Sequence, residues 1–323
     1  MPSLFGKEIL IMEISKHIGT GFGKGELYDV LVALNNGLGV MPVSGETYYV
    51  SKVGNNTTGL SWETAFTTIA GAIAANNTYI AVTANSYGRN RMYIDGGNLW
   101  SEDLATFPNQ CDMIGVGART GWVPTIYGAT AITTAVTGCH VYNLMFHNSN
   151  ASGKACVIPT GSHGIEFHHC WFAGEASATH GLQLGSIADF VVDDCRFCGN
   201  PPALTGILLT APMATGEIKN NFISAVTTGI ELPDGLTTDY GLLIKNNIIG
   251  CANPNSSIQL AVGIKISDTN SRCHTFFVNN YISAVDAIYF VGAGYGTMDN
   301  WLCIGNTICE AGISTMETVI VDG

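Results

Sequence analysis

Charge is scarce in this chain. Asp, Glu, Lys and Arg make up 12% of the 323 residues, about half the roughly 25% of an ordinary soluble domain. The 13 Lys and Arg are scattered, and 25 acidic side chains against them leave a formal charge of −12. No basic stripe can form, which excludes a nucleic-acid partner. No apolar run reaches the ~18 residues of a membrane-crossing helix. Glu8 and Glu13 interrupt the first apolar stretch and no small-residue cleavage site follows, so no signal peptide is expected and synthesis in a cytosol is. Cys195 and Cys198 form a Cys-x-x-Cys pair without a second such pair, so neither a metal site nor a cofactor is expected. A chain this long can bury a core of its own, and its ten cysteines read as buried free thiols rather than a disulfide framework. Apolar residues reach 46% and glycines number 39. The first of these excludes intrinsic disorder.

What the chain does contain is a repeat. Seven short segments align on Leu144, Cys170, Cys195, Asn221, Asn247, Asn280 and Asn306, at steps of 26, 25, 26, 26, 33 and 26 residues. Before most of them a small residue leads into alternating apolar positions, as in Gly206-Ile207-Leu208-Leu209 and Gly229-Ile230-Glu231-Leu232. Alternation with β-branched residues means strand. Several short strands per coil, recurring at this period, predict a parallel β-solenoid whose coils stack about 4.8 Å apart. Ile218 and Ile223 both suit an interior, yet they are five residues apart, so a turn must fall at Asn220-Asn221. Asn tolerates left-handed backbone, and its amide can bond to the equivalent amide one coil away. Asn221, Asn247, Asn280 and Asn306 would form one such ladder, with Asn220, Asn246 and Asn279 beside it.

This pattern, over roughly Tyr48 to Cys309, resembles the right-handed parallel β-helix of pectate-lyase-like proteins, including phage tailspikes and other virion β-helices. The resemblance implies an all-β, single-stranded right-handed β-helix of eight to ten coils. The run Gly59 to Phe66 looks like the entry segment of such proteins. Ser61 is expected to cap a covering helix with Trp62, Phe66, Ile69 and Ile73 on one face. Ile80-Ala81-Val82 and Met92-Tyr93-Ile94 are expected to start the first coils, and Ile114 to Gly117 to precede Leu144 by a step of 27. Residues 1–45 form an N-terminal arm, either a strap or an attachment segment, residues 46–311 the β-helix, and residues 312–323 a tail.

Candidate chemistry gathers at Glu166, His168, His169, Asp193, Asp194 and Arg196. The repeat stacks His168 against Asp193, and Asp193 against Lys219 and Lys245. A catalytic acid/base group competes there with a surface Asp193–Lys219 ion pair and with turn hydrogen bonds at His169 and Asp194. Glu231, Asp234 and Asp239 read as solvated loop acids. Trp122, Tyr127, Trp171, Tyr240, Tyr289, Tyr295 and Trp301 could stack on sugars. Trp171, Phe222, Ile248 and Tyr281 share one repeat position with Arg196, which suggests an outward column and an interface. The loop around residues 251–257 is the insertion behind the 33-residue step. The resemblance implies a trimeric capsid decoration or cement protein of a bacteriophage, located in the virion. Its partners would be its own copies, capsid or tail proteins held through the arm, and a host surface glycan, with no membrane partner. The alternatives are a short tailspike or receptor-binding β-helix, or a polysaccharide lyase or hydrolase.

Overall fold

The computed structural model describes residues 45–83, 89–97, 99–117, 123–148, 153–174, 178–198, 203–210, 215–232, 241–250, 260–267, 275–291 and 302–310. Every strand pairing among them is parallel and links successive coils. One full coil shows the plan. Strand Ser162–His168 runs in sheet A, Trp171–Gly174 in sheet B and His180–Leu184 in sheet C, and Ile187–Asp193 then returns to sheet A. Sheet A has ten strands, sheet B nine and sheet C six, so six turns carry all three. The chain is a parallel β-helix.

The alternation of residues along each strand builds the core. In sheet B, Phe146, Phe172, Phe197, Ile223, Ile249 and Ile282 pair in register and are all buried. The Phe146 and Phe172 rings stack at 5.5 Å, and Phe172 and Phe197 at 4.8 Å. Burying each such side chain contributes about 1.5–3 kcal/mol. Met113, Val141, Phe167, Val192, Ile218 and Ile244 do the same in sheet A.

The turn from sheet A to sheet B repeats one conformation. Asn143, His169, Asp194, Asn220, Asn246 and Asn279 all lie at φ between 49° and 58°, and Gly305 at 65°. The following residue turns inward. Asn221, Asn247 and Asn280 are buried, and each donates from Nδ2 to Oδ1 of the next at 2.9–3.0 Å, ending on Asn306. The same Nδ2 atoms donate to the carbonyls of Val192, Ile218 and Ile244 at 2.8–2.9 Å. Each Oδ1 also accepts the backbone N–H of the preceding column member, at 2.8–3.0 Å. Cys170 and Cys195 continue the column upstream. Their thiols reach the equivalent carbonyls of Val141 and Phe167 at 3.4 and 3.5 Å.

The entry differs from the sequence reading. The helix, α1, spans Ile69–Thr83, eight residues after Ser61. Phe66 instead bridges Val50, and Ser61 closes a local turn on Thr64. Thr68 Oγ1 accepts the Gly71 N–H at 3.1 Å, and the Glu102 carboxylate accepts those of Ile69 and Ala70 at 3.0 Å. Those bonds satisfy orphan helical donors and set the start. Ile80-Ala81-Val82 is therefore helical. Its β-branched residues suggest a strand, but propagation from a capped start overrides that preference. Helix α1 packs Ile69, Ala72 and Ile73 into the core beside Thr47–Val50, the end strand of sheet A. Ile114 pairs with Tyr142, a step of 28 rather than 27. Residues 1–44 of the arm, the tail and the 251–257 loop lie outside the described residues.

Candidate functional site

Side chains that alternate with the core of sheet A face outward, and the in-register pairing lines them up along the helix axis. Arg91, Asp112, His140, Glu166, Val191 and Glu217 form one column. Tyr49, Tyr93, Ile114, Tyr142, His168, Asp193, Lys219 and Lys245 form the other.

Across these columns runs a chain of polar contacts. The Arg89 guanidinium bonds to Asp112. His140 faces Asp112 through Nδ1 at 3.6 Å and Glu166 through Nε2 at 3.3 Å. The other Glu166 oxygen meets His168 Nε2 at 2.9 Å, and His168 Nδ1 lies 3.7 Å from Asp193. Asn220 Nδ2 donates to Asp193 at 2.8 Å. The Tyr142 ring stacks on His168 at 4.9 Å and 10°. Burial first, and then the Arg89 charge, hold His140 below the ordinary imidazole range against the pull of Glu166 and Asp112. Burial, with Asp112 and Glu166, raises the Tyr142 phenol. A hydrogen bond from Lys219 to Glu217 raises the lysine. Toward the entry the same face turns aromatic. Trp62 meets Tyr49 edge-on at 4.8 Å, and Tyr49 lies 5.7 Å from Tyr93.

Of the residues singled out in the sequence, Glu166, His168 and Asp193 come together here. His169 and Asp194 do not. They sit exposed in the turn and pair with each other at 2.8 Å. Arg196 lies in sheet B, its guanidinium 5.2 Å from the centre of the Trp171 ring. The expected Asp193–Lys219 ion pair is replaced. Lys219 bonds to Glu217 on its own strand, and Asp193 takes the Asn220 amide. Glu231 is a strand residue paired with Lys265 at 2.7 Å, not a loop acid. Asp234 and Asp239 lie outside the described residues, as do Trp122, Tyr240, Tyr295 and Trp301. Tyr127 and Trp171 belong to sheet B and Tyr289 to sheet C, so these three share no single surface. In the interface column Phe222, Ile248 and Tyr281 are 41%, 50% and 43% exposed, and Trp171 is half-buried.

Asp112, His140, Tyr142, Arg89, Tyr49 and Tyr93 escaped the sequence reading. For Asp112 and His140 the period was the available signal. Steps of 28 and 26 residues lead from Asp112 to His140 and on to Glu166. Among the described residues no group of three His, Cys, Asp or Glu side chains is set to hold a metal ion. The eight described cysteines are free thiols, five of them buried.

No protein-family model matches the chain, and no curated protein matches it. Among solved structures it is similar to the pectin methylesterase of Aspergillus niger in deglycosylated form. That match has 14% identity and a TM-score of 0.39, and covers 86% of this chain and 92% of that one. It is also similar to the A-module of the mannuronan C-5 epimerase AlgE6 of Azotobacter vinelandii, at 12% identity and a TM-score of 0.23, over 74% and 96% of the two chains. The strand pairing, not this likeness, establishes the β-helix, and no activity follows from either match.

Proposed function

We propose that this chain is a structural β-helix of a bacteriophage virion surface, and that it contacts carbohydrate through the outer face of sheet A without cleaving it. One observation carries the carbohydrate contact: that face continues from the ring group Trp62, Tyr49 and Tyr93 into the polar row from Asp112 to Asp193. Rings offer apolar faces to sugar C–H groups, and carboxylates and imidazoles offer acceptors and donors to sugar hydroxyls. The row does not resemble a cleavage site. Arg89 holds Asp112, two imidazoles hold Glu166 and Asn220 holds Asp193, whereas an acid/base pair must be aimed at a scissile bond. The virion setting draws its support from the Asn-laddered solenoid and its similarity to virion β-helices.

Incubation with neutral and acidic polysaccharides is expected to release no oligosaccharide. Release that disappears in Asp193→Asn or Glu166→Gln would establish an enzyme instead. Electron microscopy of particles carrying a labelled chain tests the setting, and label absent from every particle would refute it.

A further inference from the structure

Helix α1 covers one end of the β-helix, and the other end is open among the described residues. Leu302–Ile304 is the last strand of sheet A there, Thr307–Glu310 of sheet B and Asp286–Val291 of sheet C, and no described strand pairs with their outer edges. Core positions lie bare at this end. Ile308 pairs with Ile282 and continues the buried column that starts at Phe146, yet it is 41% exposed. Cys303 pairs with the buried Phe277 and is only half-buried. Both occupy inward positions by the alternation of their strands, so what they miss is a further coil. Three parallel strand edges with free N–H and C=O groups are a template for one more strand.

Residues 311–323 follow directly, and their order suits that edge. In each coil the chain passes from sheet B to sheet C. The sheet C strands carry a small residue and then an inward isoleucine, as in Gly206-Ile207, Gly229-Ile230, Gly263-Ile264 and Ala287-Ile288, and these isoleucines pair in register. Ile207, Ile230 and Ile264 are fully buried, whereas Ile288, on the edge, is only partly so. Gly312-Ile313 repeats the pattern. Ile313 follows Ile288 by 25 residues, and the paired steps Leu182 to Ile207 and Ile264 to Ile288 are 25 and 24. Ala287 does not forbid a coil beyond it, because Ala155 holds the same place against Gly181 and is buried.

We propose that residues 312–315 add a seventh strand to sheet C, with Ile313 beside Ile288 and Ser314 beside Tyr289, and that Met316, Val319 and Val321 then cover Cys303 and Ile308. Glu310 delivers the segment to this edge, so its effective concentration there exceeds that of a second copy. Terminal coils of a solenoid need such a cover to stay soluble.

The test compares the full chain with four variants. Deleting residues 312–323 should speed hydrogen exchange of the amides at 287–290 by about tenfold or more and raise the binding of a hydrophobic dye. Ile313→Asp should reproduce both effects, and Ser314→Asp should produce neither, because alternation turns residue 314 outward. The fourth variant joins Tyr289→Cys to Ser314→Cys. Paired residues on neighbouring strands are about 4.8 Å apart, within the Cα range of a disulfide. Glutathione disulfide should take two electrons from the two thiols, leave as two glutathiones, and yield a 289–314 link inside one chain, read by peptide mass spectrometry. Exchange at 287–290 unchanged by the deletion, or equal effects of the two Asp variants, would overturn the added strand. A 289–314 link found only between chains would give the edge to a second copy and overturn the assignment to the chain's own segment.

Discussion

At the residue scale, one amide does the work of several. Asn247 Nδ2 donates to Ile218 O and Asn280 Oδ1, while its Oδ1 accepts from the backbone and side chain of Asn221. All of these bonds are buried, so deleting the amide strands polar groups on both neighbouring coils. Asn247→Leu is expected to lose about 1–3 kcal/mol of unfolding free energy. A loss within error in urea titration would remove the ladder from the stability account. A thiol has one donor, which explains why Cys195 reaches the Phe167 carbonyl yet does not extend the amide chain upstream. Two histidines make stability depend on pH. Burial, and then Arg89 for His140 or Lys154 for His180, lowers both imidazoles in the folded chain. His180 also keeps a buried Nδ1 without a hydrogen-bond partner. The folded state then binds fewer protons than the unfolded one. The stabilisation is complete above the unfolded value of about 6.5 and is lost as pH falls through the folded values. The melting temperature should drop between about pH 7.5 and pH 5.5, and His180→Gln should shrink the drop. An equal drop in the variant would discharge His180 from the effect.

At the element scale, close stacking decides which residues a coil accepts. Gly206, Gly229 and Gly263 occupy equivalent positions in sheet C. A Cβ on Gly229 would meet Ile249 Cγ2 at 2.4 Å and the Gly263 carbonyl at 2.5 Å. The obstacle includes backbone of the next coil, which cannot swing aside. Gly229→Ala should therefore destabilise by about 1–3 kcal/mol, as overpacking does, measured by the shift of the denaturation midpoint. A neutral or stabilising result would mean that the coils separate more easily than their pairing implies. The repeating Gly-Ile-x-Leu segments were legible as strands because their pattern is local. The start of α1 was not, since Glu102 caps it from 33 residues away.

For the whole molecule, the open question is what covers sheet B. Phe222, Ile248 and Tyr281 stand in one exposed column. We propose that copies of this chain close over it around a threefold axis, as closed cyclic symmetry leaves no open sticky surface. Three arms of residues 1–45 would then gather weak contacts with a capsid or tail lattice into avidity. Light scattering should report about three times 34.1 kDa. Deletion of the arm should leave the trimer but abolish particle binding. A monomer at micromolar concentration would sink the trimer, and undiminished binding without the arm would sink its attachment role.

The sequence by itself determined the β-helix and the position of the Asn turn from sheet A to sheet B. Period, alternation and Asn pairs are local signals, and stacking identical coils is the one way to bury such short apolar strands. The functional face was only partly legible. His168 and Asp193 fall within the aligned repeat segments, with Glu166 two residues away, whereas Asp112 and His140 lie outside those segments. What joins these residues is the register of parallel pairing, which converts a distance of 26 to 28 residues into neighbouring strands. The direction of each imidazole and the partner of Lys219 were decided later still, by side-chain packing among neighbours. The tertiary structure alone settles those choices, because they depend on which groups compete for one proton or one ammonium at the same few ångströms.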